Sequence, residues 1–180
     1  EVSSLEVVDA HLDRIEEVNG WLNAVTRVLT DEARAAAIDA DAAVAAGDGL
    51  GPLHGVPCTV KENVDVSGTP TTQGLPAFAE LIAPTDAPLV ERLRGAGAIP
   101  IGRTNLPELG LRISTDNPLH GLTRNPWHPG RTAGGSSGGE GSAIASGMSP
   151  LGLGNDIGGS VRNPAFCCGI ASIKPTHGRL

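Results

Sequence analysis

Two segments rich in glycine and serine carry the residue types that most readily do chemistry here. They are Gly134-Gly135-Ser136-Ser137-Gly138-Gly139 and Asp156-Ile157-Gly158-Gly159-Ser160-Val161-Arg162. Glycine lets a backbone take positive φ and approach a ligand closely. Successive N–H groups in such a turn form a concavity that binds an anion. A flexible linker is the bland reading of the first segment. Its flanks argue against that, because Arg131 precedes it and a helix-compatible run follows. A dinucleotide fingerprint fits poorly: Gly152, Gly154 and Gly158 are spaced one residue too widely. A nucleophile elbow, G-x-S-x-G, is matched around Ser136 and again around Ser137, but an elbow needs a strand directly before it. The preceding Asn125-Pro126-Trp127-His128-Pro129-Gly130-Arg131 cannot be a central strand. A Ser-His-Asp order would also leave only His177 as the base.

Composition narrows the classes. The chain has 180 residues and a formal net charge of −7, which argues against a nucleic-acid surface. Two Phe, two Trp and no Tyr leave few stacking platforms for single strands. Hydrophobic residues make up 39%, enough for a packed core. Cys58, Cys167 and Cys168 lack metal spacing and read as buried thiols of a reducing compartment. His54, His120 and His128 are scattered and read as polar loop residues. No metal and no cofactor are expected. No signal peptide or bilayer-spanning apolar run is visible, so the expectation is a cytoplasmic protein without a transmembrane segment. The chain begins at Glu1, without methionine.

Apolar residues at helical spacing predict a helix over 4–18, stopped by Asn19-Gly20. A short strand follows over 24–29, then an Ala-rich helix capped by Thr30-Asp31 and reaching about Ala46. Residues 56–60 read as a buried strand that delivers Lys61 at its end. Asp86 is expected to cap a helix with Pro88 in its first turn, and 98–101 is again a strand. Residues 114–139 lose all periodicity, as functional or disordered stretches do. A small-residue helix over 141–146 and strands over 151–153 and 170–173 complete the chain. Strand–helix–strand alternation predicts an α/β fold with a mixed sheet core flanked by helices.

The ordered set of motifs resembles the amidase signature family. It comprises the first glycine-serine block, the run Gly154-Asn155-Asp156-Ile157-Gly158-Gly159-Ser160-Val161-Arg162-Asn163-Pro164-Ala165, and the stretch from Gly169 to Lys174-Pro175-Thr176. Upstream lie Gly55-Val56-Pro57-Cys58-Thr59-Val60-Lys61-Glu62-Asn63, then Gly102-Arg103-Thr104-Asn105-Leu106-Pro107-Glu108 and Thr115-Asp116-Asn117-Pro118. The likeness covers nearly the whole chain. Departures are Ala171, Arg103 and the second thiol at Cys168. Carried over residue by residue, the resemblance puts the catalytic lysine at Lys61, the cis-serine at Ser136 and the nucleophile at Ser160, with Ser137 in support. It also implies a cis peptide between Gly135 and Ser136.

The implied chemistry is physically coherent. A serine hydroxyl needs an adjacent base. Lysine serves only as the free amine, so its reference pKa of about 10.4 must be lowered by burial or neighbours. Taken singly, Lys61 reads as a solvated turn lysine. Within the constellation, Ser136 relays a proton from Ser160 to Lys61 and returns it to the leaving amine. The N–H groups of Ile157, Gly158, Gly159 and Ser160 are the expected oxyanion donors. Asp156 and Arg162 are expected to form a buried ion pair bracing the loop. The implied activity is hydrolysis of a small-molecule carboxamide to acid plus ammonia or amine, through a seryl acyl-enzyme. The alternatives are the A subunit of a glutamyl-tRNA amidotransferase and an inactive remnant or binding module. Ile157 favours a free-standing amidase, since threonine is commoner there in the amidotransferase. Residues 1–180 are expected to form the N-terminal portion of a single amidase domain, incomplete at the C-terminus and inactive alone. A homo-oligomer is compatible with the sequence.

Overall fold

The computed structural model describes residues 2–179. Helix α1 (Ser4–Leu22) opens on a capping box. Ser3 Oγ accepts the Glu6 N–H at 3.1 Å, and the Glu6 carboxylate accepts the Ser3 N–H at 2.8 Å. The helix runs through Asn19-Gly20 and ends where Asn23 turns left-handed at φ 52°. Asn19 stays helical while its side chain starts the next strand. Its Oδ1 accepts the N–H groups of Ala24 and Val25 at 2.9 and 2.8 Å.

Strand β1 (Val25–Val28) leads into helix α2 (Thr30–Ala46). The expected Thr30-Asp31 cap does not form: Leu29 holds the cap position and offers no side-chain bond. Strand β2 (Pro57–Lys61) is buried throughout and includes Lys61 itself. Helix α3 (Pro88–Gly95) has Pro88 in its first turn. Asp86 does not cap it but accepts the Ser67 N–H and bonds Arg94 Nε, at 2.7 and 2.8 Å. Strand β3 (Ile99–Thr104) is longer than the apolar run suggests.

The sheet order is β1-β3-β2-β4, with β4 spanning Gly152–Leu153. β3 runs antiparallel to β1 and parallel to β2, and β4 runs parallel to β2. One irregularity matters for the site. Cys58 pairs with Pro100 but Thr59 pairs with Gly102, so β3 advances two residues where β2 advances one. A bulge of this kind re-aims the side chains beyond it. Thr104 consequently reaches Glu140, whereas Arg103 turns to the other side and donates to Val64 O at 2.6 Å and to the Thr69 hydroxyl.

The main core cluster joins Val8, Leu12 and Ile15 of α1 and Ala33 and Ala37 of α2 to Val25, Ile99 and Ile101 of the sheet. It also takes in Ala143 of α4 (Gly138–Ala145) and Met148. A smaller cluster packs Val60 of β2 against Val66 and Val90. Helix α4 starts three residues earlier than its apolar pattern, inside the glycine-serine block. Gly139 permits this, because a Cβ there would lie 2.8 Å from the Ala24 carbonyl oxygen.

Helix α5 (Arg162–Cys168), ended by Gly169 at φ 73°, occupies a stretch for which the sequence predicted no helix. The predicted strand over 170–173 is absent. Among the described residues no strand pairs with that segment, and Ile173 is exposed.

Candidate active site

β2 ends by pointing Lys61 at the segment that enters α4. Lys61 Nζ lies 2.7 Å from Ser136 Oγ and 2.8 Å from Asn155 Oδ1. Lys61 is 0% exposed and Ser136 2%. An ammonium donates to both oxygens; a free amine instead accepts the Ser136 proton while still donating to Asn155. Burial lowers Lys61 from its ordinary value to about 8, although the charges of Glu140 and Asp156 oppose the shift. The solvated turn lysine suggested by this residue alone is thereby excluded.

The glycine-serine block is pinned from three sides. Thr115 Oγ1 accepts the Gly138 N–H and donates to Gly134 O, both at 3.0 Å. Asn163 Oδ1 accepts the Gly135 N–H at 3.0 Å. The Gly135–Ser136 peptide is cis. The Ser137 N–H donates to the Ser160 carbonyl at 3.0 Å, and this bond ties the two glycine-serine segments together. Ser137 Oγ is buried with no partner among the described residues. Ser160 therefore stands beside the Lys61–Ser136 pair through its main chain. A side-chain bond from Ser160 to Ser136 is not among those the described residues form.

The loop 156–162 is organised by one carboxylate. Asp156 accepts the N–H groups of Gly159, Val161 and Arg162 at 2.7, 3.1 and 3.3 Å. The Arg162 guanidinium adds a bidentate pair at 3.0 and 2.9 Å. That bidentate pair is the main reason the Asp156 carboxyl stays well below the usual carboxylate range. The pair is buried only on its acidic side, since the Arg162 side chain is exposed. The Gly159 N–H is thus already engaged. Those of Ile157, Gly158 and Ser160 have no partner among the described residues and lie beside an exposed face.

Two groups at this site went unnoticed in the sequence. Asn155 holds Lys61 and also donates to Asn63 Oδ1 at 3.0 Å. Glu140 lies buried under the sheet, accepting the hydroxyls of Thr59 and Thr104 at 2.6 and 2.8 Å. The available signal for Glu140 was its isolation as the single charged residue between Arg131 and Asp156. Away from this centre, His54 Nε2 meets Ala40 O at 3.0 Å and His128 Nδ1 accepts the Gly130 N–H. His120 is more than a polar loop residue, because its Nε2 faces Glu62 Oε2 at 2.9 Å. Among the described residues no helix is long and apolar enough to cross a membrane.

The Amidase family profile matches residues 6–180, and the chain belongs to the amidase signature family. It is 58% identical over 179 residues to the indoleacetamide hydrolase of Bradyrhizobium diazoefficiens, covering 99% of this chain and 34% of that protein. It is 45% identical over 180 residues to the A-type subunit of the glutamyl-tRNA(Gln) amidotransferase of Prochlorococcus marinus, covering 100% of this chain and 37% of that one. Among solved structures, a bacterial aryl acylamidase of the amidase signature family superposes with a TM-score of 0.88 at 36% identity, over 91% of this chain and 34% of the other. The chain thus spans about a third of the length of the relatives it matches.

Proposed function

We propose that this chain carries the catalytic serine–serine–lysine centre of an amide hydrolase, with Ser160 as nucleophile, Ser136 as relay and Lys61 as base. The supporting observation is the buried contact between Lys61 Nζ and Ser136 Oγ at 2.7 Å. Ser160 Oγ attacks the carboxamide carbon. Its proton passes to Ser136 Oγ as the Ser136 proton passes to Lys61 Nζ. The N–H groups of Ile157, Gly158 and Ser160 receive the oxyanion, one such donor being worth about 3 kcal/mol. The Gly159 N–H, held by Asp156, shapes this cradle rather than filling it. The relay then runs backwards, and the Lys61 proton leaves with the amine through Ser136. Water attacks the acyl-enzyme by the same path and releases the carboxylic acid.

The substrate is a small-molecule carboxamide. The name of the relative at 58% identity suggests an arylacetamide as the first compound to assay. Residues 1–180 form, on this reading, the N-terminal portion of a single amidase domain. A fluorophosphonate probe applied to the complete domain, followed by peptide mapping, tests the assignment. The adduct is expected on Ser160 and lost in Ser160→Ala; an adduct on Ser136 or Ser137 overturns it. The likeness to the amidotransferase favours a second reading, in which glutamine is the amide and ammonia goes to a partner. Ammonia release from glutamine, but not from an arylacetamide, selects that alternative. Absence of any serine adduct selects a binding module.

A further inference from the structure

Glu140 is charged, buried and absent from the chemistry derived above. It is 4% exposed, in the first turn of α4. Its two carboxyl oxygens are placed by two threonines that flank Lys61 on the sheet. Thr59 precedes Lys61 by two residues on β2 and so shares its face. Thr104 is the cross-strand partner of Lys61 on β3. On the far side, β4 presents Gly152 opposite Thr59, and any Cβ at 152 would run into the Glu140 carboxylate. Three strands thus make room for one carboxylate under the lysine, through the β3 bulge, two hydroxyls and a glycine.

We propose that Glu140 is a positioning residue for the proton relay, the buried counter-charge that stabilises the Lys61 ammonium formed when Ser160 is deprotonated. For catalysis the inference rests on the serine–lysine reading above; the electrostatic link between Glu140 and Lys61 stands without it. When the relay delivers its proton, the Lys61–Glu140 pair passes from one net negative charge to none. Without the carboxylate it would pass from neutral to a buried, unpaired cation, which is costly in a desolvated site. The other charged groups are arranged consistently with this role. Asp156, from the loop after β4, also favours the Lys61 ammonium. Arg103 on β3 favours the ionised Glu140 from the opposite side of the sheet, and Arg27 on β1 bears on Arg103. The thiols of Cys58 on β2 and Cys168 on α5 are both pushed up to about 12 and stay neutral. Burial raises Glu140 and lowers Lys61, while the charge of each favours the charged form of the other.

The test reads Lys61 directly. Lysine-selective ¹³Cε NMR of the intact protein follows Lys61 by the signal that Lys61→Ala removes. In Glu140→Gln the Lys61 titration is expected to move to lower pH by about one unit or more, and the pH profile of kcat/KM to move with it. Thr104→Val, which removes one hydroxyl from the carboxylate and keeps the volume, is expected to shift Lys61 the same way by less. It carries the test if Glu140→Gln does not fold. A purely structural role gives the opposite sign, because a loosened core admits water and restores the ammonium. A Lys61 titration that is unmoved or moves upward in the folded variants overturns the proposal. If Lys61→Ala retains turnover while the NMR shift appears, the relay reading fails and the Glu140–Lys61 link stands.

Discussion

Lys61 shows how a single residue acquires chemistry from its surroundings. Nothing in a lone lysine distinguishes a base from a solvated side chain; the difference is burial at a strand end with a hydroxyl at 2.7 Å. Burial is the largest cause of the shift to about 8, so the free amine becomes the major form above that pH. Since the base must be deprotonated, kcat/KM should rise with pH through about 8 and then level, as a pH–rate profile on a carboxamide would reveal. Lys61→Ala keeps Ser136 but removes the acceptor of its proton, and turnover should fall by about 10²–10⁴-fold. Near-normal turnover in that variant would defeat the relay. Asn155 belongs to the same scale: a side chain next to a recognised motif residue, whose role appears only when its amide oxygen is seen 2.8 Å from Nζ.

At the scale of elements, loop 156–162 is held by one acceptor serving three backbone N–H groups and one guanidinium. These contributions differ in worth. The Arg162 side chain is exposed, so water and salt screen its pair with Asp156. Removing Asp156 leaves three N–H groups without an acceptor, at about 1–3 kcal/mol for each group kept from water. Arg162→Met should therefore lower the urea midpoint slightly and leave probe labelling of Ser160 nearly intact. Asp156→Ala should lower both strongly. Equal effects from the two variants would mean that the ion pair, not the backbone bonds, holds the loop. Much of this scale was legible in the sequence: α1, β1, α2, β2 and α3 follow their periodicity to within a few residues. The exceptions have local causes. β3 runs past Ile101 because its bulge lets Gly102, Arg103 and Thr104 continue a strand that apolar alternation does not mark. α4 begins among glycines, where propensity predicts a loop, because Gly139 packs against the Asn105 backbone just past β3 and the Ala24 carbonyl. Of the proposed centre, Lys61, Ser136 and Ser160 were legible as motif positions. Glu140 was not, since its hydroxyl partners lie 36 and 81 residues away in sequence.

For the molecule as a whole, the buried groups beneath α4 make stability depend on pH with an unusual shape. Folded Lys61 titrates near 8, against an ordinary value of 10.5. Between these values the unfolded chain holds the proton and the folded chain does not, so stability rises with pH across that window. Glu140 behaves oppositely, because its folded value of about 7 lies above the ordinary 4.5. From 4.5 to 7 the folded chain holds more protons, and stability falls as pH rises. Asp156, lowered below its ordinary 3.8, contributes stability that is present above that value and lost in stronger acid. Together these contributions place a minimum of stability near neutrality, with rises on its acid and alkaline sides. Urea midpoints measured from pH 4 to 10.5 should trace that trough. Glu140→Gln should flatten its acid limb, and Lys61→Met its alkaline limb. A single broad maximum near neutrality in the unaltered protein would mean that the two groups exchange their charges with water and that α4 does not seal the sheet.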